Sequence, residues 1–313
     1  MRLTRRPVLV FLASAAAAVG AVVLAVLLVR KIRVVFAGEV LLTDGRASYT
    51  VRLQKRVSVT HDVRLLRFAL KSPQQKLGFR VGEHVLLNAC IGGRTVMRPY
   101  TPVSRVDHRG SFDIMVKIYP AGVSRKYPNG GLMSQYLDTL RAGDKIEIQG
   151  PRGRFVYEGR GQFATADGHR LPLVTRLGLV AAGSGVTPML QLLRHLVADK
   201  ADQTSVMMID VNSSEQDIIA RQELDEYTKD HGAFSIRHVL SRPPTSEHMV
   251  DYVPGPLNLE ILTEHLPPPD SGTMDCRIAL MDLFGRRHLG NDSTTLRPVL
   301  HNIITRRGRG YHN

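Results

Sequence analysis

The sequence predicts an N-terminal transmembrane helix followed by two globular units, an antiparallel β-barrel or sandwich and then an α/β domain built on a parallel sheet. Three observations carry that reading. Residues 8–29 form an uncharged run of 22. Residues 48–160 hold short β-type runs divided by turn residues, and from about residue 175 strand and helix patterns alternate.

The apolar run lies within PVLVFLASAAAAVGAVVLAVLLV and exceeds the ~20 residues that a helix needs to cross the hydrocarbon layer. Residues 1–33 therefore read as a membrane anchor. A secretory signal is the rival reading, because Ala and Val dominate and the run is N-terminal. Signal h-regions extend only about 7–15 residues, however, and Arg30-Lys31-Ile32-Arg33 follows without an A-x-A pattern. Basic residues flank both ends, so the positive-inside rule does not choose an orientation. The chain has only two cysteines, Cys90 and Cys276, and so no disulfide framework, which favours a cytosolic body.

The formal charge of +14 is unevenly spread. Residues 1–33 carry +6, residues 286–313 carry +5, and the 252 residues between them carry only +3. A body so nearly balanced argues against DNA or RNA as partners. Residues 34–47, with Gly38, Asp44 and Gly45, read as a linker, and residues 286–313 as a basic tail.

The β unit, residues 48–160, is built from TVRLQKRVSV, HVLLNACI, RPYTPVS, SFDIMVKIY and KIEIQGPRGRFVY. Ile91-Gly92-Gly93-Arg94 and Asp107-His108-Arg109-Gly110 supply turns between them. SFDIMVKIY alternates Phe112, Ile114, Val116 and Ile118 with more polar neighbours, the pattern of a strand with one face buried. RPYTPVS is the odd member. Pro99 and Pro102 each remove a backbone donor and fit a sheet only at an edge or a bulge, so this stretch looks chosen for its side chains.

The α/β unit, residues 161–285, opens with RLGLVAAGSGVTPMLQLLRHLVAD, an apolar strand, a glycine turn and a helix with Thr187 as its expected cap and Pro188 at its first position. SVMMIDVN and EQDIIARQELDEYTKD repeat strand then helix, FSIRHVL is a third strand, and LNLEILTEHL a further helix. Gly183 and Gly185 let backbone amides approach a ligand, and the helix N-terminus that follows attracts an anionic or electron-rich group. Gly130, Gly131 and Ser134 open a second such cradle. A plain structural turn accounts for either one taken singly. There is no Ser-His-Asp, zinc or paired-carboxylate constellation to suggest acid–base, nucleophilic or metal chemistry.

In their order, RPYTPVS, VKIY, GGLMSQYL, GPRGRFVY and AAGSGVTPM resemble the ferredoxin-reductase-like flavoproteins, and among them the NADH-cytochrome b5 reductases, over residues 49–269. The resemblance implies a β-barrel domain for FAD and a parallel-sheet domain for NADH. It implies that Arg98 pairs with a cofactor phosphate, that Tyr100 lies against the flavin ring and that Thr101 bonds near its reactive nitrogen. Lys117 and Tyr119 match the nicotinamide side. Gly131, Met133 and Ser134 match the loop for the FAD pyrophosphate. Thr187 matches the threonine between the two rings, and His84 in GEHVLL matches a histidine supporting the flavin, although a strand histidine with no such role fits equally well. Pro99, Met115, Gly130, Gly183, Gly185, Pro188 and Met189 complete the implied cofactor set, with Thr101, Lys117 and Thr187 nearest the chemistry.

The implied reaction is transfer of a hydride from NADH to FAD and of single electrons onward to cytochrome b5 or a similar haem protein. The setting implied is a monomer tethered to the lipid bilayer of the endoplasmic reticulum or the mitochondrial outer membrane. Alternatives are a reductase for another one-electron acceptor and a degenerate, non-catalytic flavoprotein. Three departures from the family pattern bear on this. VSRKYPNGG replaces a histidine-bearing HPKFPAGG-like loop. Ser241 stands where an acid normally precedes Arg-Pro-Pro, so NADPH is possible beside NADH. No C-G-P-P-P-M occurs, and LPPPDSGTMD runs into CRIALMDLFGRRHLGNDST as though the final helix were joined on with a strand missing, which predicts a loosely held nicotinamide and low activity.

Overall fold

The computed structural model describes residues 40–123, 125, 127–244, 252–267 and 276–278. The expected membrane span and basic tail lie outside the described residues, among which no helix is long and apolar enough to cross a membrane.

The β unit contains β1 (Tyr49–Ser58), β2 (Val63–Ala69), β3 (His84–Ile91), β4 (Arg94–Tyr100), β5 (Ser111–Lys117), α1 (Leu132–Thr139) and β6 (Lys145–Arg152). Its six strands run antiparallel in the order β4-β3-β6-β1-β2-β5. An isolated bridge between Pro102 and Ile114, with Val103 N–H donating to the Asp113 carbonyl at 2.8 Å, joins the two ends. The unit is therefore a barrel rather than a sandwich. Its core holds Leu53, Leu66, Val85, Leu87, Ile146 and Ile148, with Phe68 and Phe112 stacked at 5.4 Å and α1 plugging the interior with Met133 and Leu137. Each such side chain taken fully out of water contributes about 1.5–3 kcal/mol. Edge strand β4 tolerates Pro99, as the sequence requires.

Strand β2 escaped the sequence reading. Its buried positions, Val63, Leu66 and Phe68, do not keep a single period of two. Strand β5 also differs from expectation, since Phe112 to Val116 are all buried. Its outer face is covered: Met115 joins a core cluster with Val186 and Met189 of the α/β unit, and the Asp113 carboxylate accepts two bonds from Arg67 at 2.7 and 2.8 Å. The expected 34–47 linker is partly barrel. Leu41 and Leu42 are buried, and their N–H groups donate to the carbonyls of Lys76 and Leu77, each at 2.9 Å.

A hairpin of β7 (Phe155–Gly159) and β8 (Gln162–Thr165) follows, so the expected boundary at 160/161 falls inside its turn. The Tyr157 hydroxyl donates to Asp202 at 2.5 Å, tying this hairpin to the α/β unit. There β9 (Arg176–Ala182), β10 (Ser205–Asn212), β11 (Phe234–Leu240), β12 (Tyr252–Pro254) and β13 (Cys276–Ile278) form a parallel sheet in the order β12-β11-β10-β9-β13. Helices α2 (Val186–Ala198) and α3 (Arg221–Asp230) cover one face through Met189, Leu190, Leu193 and Leu224. Helix α4 (Leu259–His265) covers the other through Ile261 and Leu262.

Three sequence expectations need correction here. Gly185, not Thr187, is the N-cap of α2, because Gly183–Gly185 winds into a 3-10 turn that carries the helix start back to Val186. Pro188 is then third in the helix, still within the first turn, where its missing donor costs nothing. The stretch EQDIIARQELDEYTKD is not one helix. Glu215–Asp217 forms a 3-10 turn, buried Ile218 and Ile219 connect it, and Ala220 at φ 56 resets the chain before α3. Finally, the final strand is not missing, since Cys276–Ile278 pairs in parallel with Leu177–Leu179 of β9. What the sequence lacks is the C-G-P-P-P-M that would follow it.

Candidate active site

The site is a seam where the end of β5 and the segment after β4 meet the turn and helix that follow β9. In open parallel sheets, ligand clefts form at such strand ends, beside the strand where the order reverses. After β5 the chain passes through Tyr119, whose hydroxyl lies 3.1 Å from the Ser184 hydroxyl in the turn after β9. Tyr119 also ties down the other cradle. Its carbonyl accepts from Gly131 N–H at 2.9 Å, and its N–H donates to the Ser134 hydroxyl at 3.2 Å. One residue thus touches both glycine turns, which stand more than fifty positions apart in sequence.

Lys117 makes a second link across the seam. Its ammonium bonds Asp62 of the barrel at 2.8 Å and Asp217 of the α/β unit at 3.1 Å. Burial alone would lower its pKa, but these two carboxylates raise it above the ordinary lysine value. For Asp217, burial acts to raise the pKa, and it is outweighed by the Ser214 hydroxyl and Lys117, which hold the carboxyl below its usual range. His61, Asp62 and Asp217 are the one His/carboxylate group among the described residues close enough to hold a metal, and the Lys117 ammonium supplies the positive charge there.

The cradle at α1 fits a pyrophosphate. No side chain caps the helix and no acidic residue stands in its first turn, so no carboxylate there competes with an anionic ligand for its positive end. Gly130 has φ +63 and a Cβ there would sit 2.6 Å from the Pro120 carbonyl, while one on Gly131 would sit 2.6 Å from the Ser134 hydroxyl. Only glycine lets the chain turn this closely. Ser134 itself is buried and its hydroxyl donates to the Gly131 carbonyl at 2.9 Å, so its side chain braces the loop from inside. Met133 is likewise inside, in the barrel core.

On β4, Arg98 is exposed and has no carboxylate partner among the described residues. Its one hydrogen bond is to its neighbour's carbonyl, Met97, at 2.7 Å. Tyr100 is half-buried, with burial pushing its hydroxyl pKa well up. The Thr101 hydroxyl has no protein partner among the described residues. An unpaired guanidinium, a flat ring and a free hydroxyl in succession form a set of donors and a stacking surface suited to a phosphate-bearing aromatic cofactor. Across the seam Gly183, at φ +53, faces open space, Thr187 is buried with its hydroxyl donating to the Ser184 carbonyl at 3.1 Å, and Gly185 and Met189 are buried beside it. Pro99 is exposed and Pro188 half-buried. His84 is half-buried, and burial followed by the charge of Arg152 lowers its pKa, so it is neutral at pH 7.

Sequence reasoning missed Asp62, Ser184 and Asp217. Ser184 was within reach, since it sits between the two glycines of a turn already singled out. The two aspartates were not, because they meet Lys117 only through the folded chain.

These features define a two-domain flavin oxidoreductase, and comparison with known proteins agrees. Residues 50–157 match the oxidoreductase FAD-binding domain and residues 179–278 the oxidoreductase NAD-binding domain. NADH-cytochrome b5 reductase 3 of Rattus norvegicus is 42% identical over 231 residues, 72% of this chain and 76% of that protein. NADH-cytochrome b5 reductase 2 of Homo sapiens is 40% identical over 238 residues, 74% of this chain and 85% of that protein. The cytochrome b5 reductase domain of Ulva prolifera nitrate reductase superposes with a TM-score of 0.71 at 30% identity, over 79% of this chain and 94% of that one. The chain belongs to the NADH-cytochrome b5 reductase family. It is an oxidoreductase, and its cofactors are FAD and NADH.

Proposed function

We propose that this protein is a membrane-anchored FAD enzyme that oxidises NADH and delivers single electrons to cytochrome b5 or a similar haem protein. The observation that carries the reading is the seam itself, where Tyr119 links the α1 cradle to the Gly183–Gly185 turn. A flavin on the barrel and a nicotinamide on the α/β unit would meet there. When bound, FAD supplies the redox chemistry, taking two electrons from NADH and returning them one at a time.

The chain's part is to bind and to orient. Arg98 and the N-terminus of α1 would hold the cofactor phosphates. Tyr100 would present its ring and Thr101 its hydroxyl to the flavin, with neutral His84 on the neighbouring strand. Thr187 and the glycine turn form the far wall, and Lys117, locked between Asp62 and Asp217, fixes the two walls relative to each other. Residues 8–29 are long and apolar enough to anchor the enzyme, and the body free of disulfides suits the cytosolic face of the endoplasmic reticulum or mitochondrial outer membrane. The names of the relatives support cytochrome b5 as acceptor. The test is reduction of the soluble haem domain of cytochrome b5 on adding NADH and catalytic amounts of this protein. Reduction of ferricyanide but not of cytochrome b5 would instead favour a different one-electron acceptor.

A further inference from the structure

Helix α2 buries a glutamine where its face otherwise carries Met189, Leu190 and Leu193 against the core. Gln191 is 3% exposed. Its Oε1 accepts from Gly82 N–H at 2.6 Å, and its Nε2 donates to the carbonyls of Pro102 at 2.9 Å and Glu83 at 3.1 Å. A leucine would pack such a position as well. The amide is tolerated there because it is satisfied by three backbone groups, all on the other unit. A turn on, Arg194 adds a bond to the Val103 carbonyl while both its other nitrogens hold Glu223.

The segments seized are specific ones. Gly82 and Glu83 lead directly into His84, and Pro102 directly follows Tyr100 and Thr101. Gln191 itself lies one helical turn after Thr187, so both side chains issue from the same face of α2. We infer that Gln191 is a positioning residue for hydride transfer. It bolts the helix carrying Thr187 to both barrel segments that carry the flavin-side residues, and so sets the spacing of the two rings. This rests on the flavin and nicotinamide assignments proposed above. Hydride transfer falls steeply with donor–acceptor distance, and a displacement of about 1 Å is worth on the order of 100-fold in rate.

The test uses the full-length, FAD-loaded chain in detergent micelles and three variants. Gln191→Met keeps the volume and removes all three bonds. Gln191→Glu keeps the acceptor for Gly82 but loses donors unless its carboxyl is protonated. Leu196→Ala opens a cavity lower on α2 while leaving the three Gln191 bonds in place and serves as a control for lost stability. Anaerobic stopped-flow gives the limiting rate of flavin reduction and the apparent affinity for NADH, and the long-wavelength absorbance between flavin and nicotinamide reports ring stacking. Gln191→Met is expected to retain FAD, to lower the limiting rate about 10- to 100-fold, to change NADH affinity less than about threefold and to lose the stacking band. The rate of Gln191→Glu is expected to recover as pH falls, because the neutral carboxyl regains a donor. Leu196→Ala is expected to melt earlier yet reduce within about twofold of the parent. A normal rate in Gln191→Met, or a rate loss in Leu196→Ala equal to that of Gln191→Met, would overturn the inference. A parent chain that bleaches on NADH while Gln191→Met behaves as the parent defeats this proposal alone. A parent that holds no flavin or does not bleach defeats the underlying assignment, and this proposal with it.

Discussion

At the scale of single residues, the site divides into groups spent on the protein and groups left for a ligand. Arg98 and Thr101 are of the second kind, Lys117 and Ser134 of the first. Arg98→Ala is expected to weaken FAD binding on the order of 10- to 100-fold, since a hydrogen bond to a charged group is worth about 1.5–3 kcal/mol. Fluorescence recovery of released FAD measures this directly, and unchanged affinity would remove Arg98 from the phosphate site. A second residue-scale prediction concerns pH. His238 is buried with its two ring nitrogens 3.0 Å from Asp210 and 3.2 Å from Asp225, and although burial opposes the charge, these carboxylates raise its pKa above the ordinary 6.5. A histidine whose folded pKa is raised stabilises the fold in its protonated form. That contribution is complete below about pH 6.5 and is lost as pH climbs through the higher folded value. Titrating urea stability from pH 6 to pH 9 should therefore show a decline that His238→Gln flattens. An equal slope in both proteins would mean that folding does not raise the His238 pKa. The conjunction of RPYT, VKIY and GVTP was legible in sequence because each is a local string. The pairing of Lys117 with Asp217, 100 positions away, was not.

At the scale of elements, the α1 cradle depends on backbone geometry more than on side chains. Gly130→Ala puts a Cβ against the Tyr119 and Pro120 carbonyls at a left-handed φ, and Gly131→Ala presses on the hydroxyl that braces the loop. We expect Gly130→Ala to cost about 1–3 kcal/mol in stability and to lose FAD on gel filtration, with Gly131→Ala milder because the Ser134 side chain can rotate away. Retained flavin in Gly130→Ala would show that the pyrophosphate lies elsewhere. Strands β3, β10 and β11 were read to their terminal residues, because an apolar run bounded by turn residues has only one place to start and stop. Strand β2 was hidden by its slipped burial period, and the start of α2 was misplaced because the Gly183–Gly185 turn winds as a 3-10 turn. Short β13 shows the limit most clearly. Its three residues gain strand character only from β9 beside them.

At the scale of the whole molecule, two domains are held at a seam by Lys117, Tyr119, Gln191 and Arg194, and a long apolar segment precedes them. Deleting residues 1–33 should move the protein from the membrane pellet to the soluble fraction with its flavin intact, because the described barrel begins its packing at Leu41. A mature N-terminus near residue 30 would instead favour a cleaved signal. Nucleotide choice also belongs to this scale, since it depends on how the ends of β10 and β11 meet. Ser241 N–H donates to the Asn212 carbonyl at 3.1 Å and Arg242 N–H to the Ser213 carbonyl at 2.8 Å. No acid stands at Ser241 to repel the 2′-phosphate of NADPH, so discrimination should be modest, with NADH preferred. The central claim is that the seam brings a flavin on the barrel and a nicotinamide on the parallel sheet into reacting distance. Anaerobic mixing of the FAD-loaded protein with NADH, followed by flavin absorbance, tests it most directly. Bleaching of the bound flavin within the enzyme's turnover time, faster with NADH than with NADPH at equal concentration, is the predicted result. Flavin that stays bound and yellow in saturating NADH would contradict it.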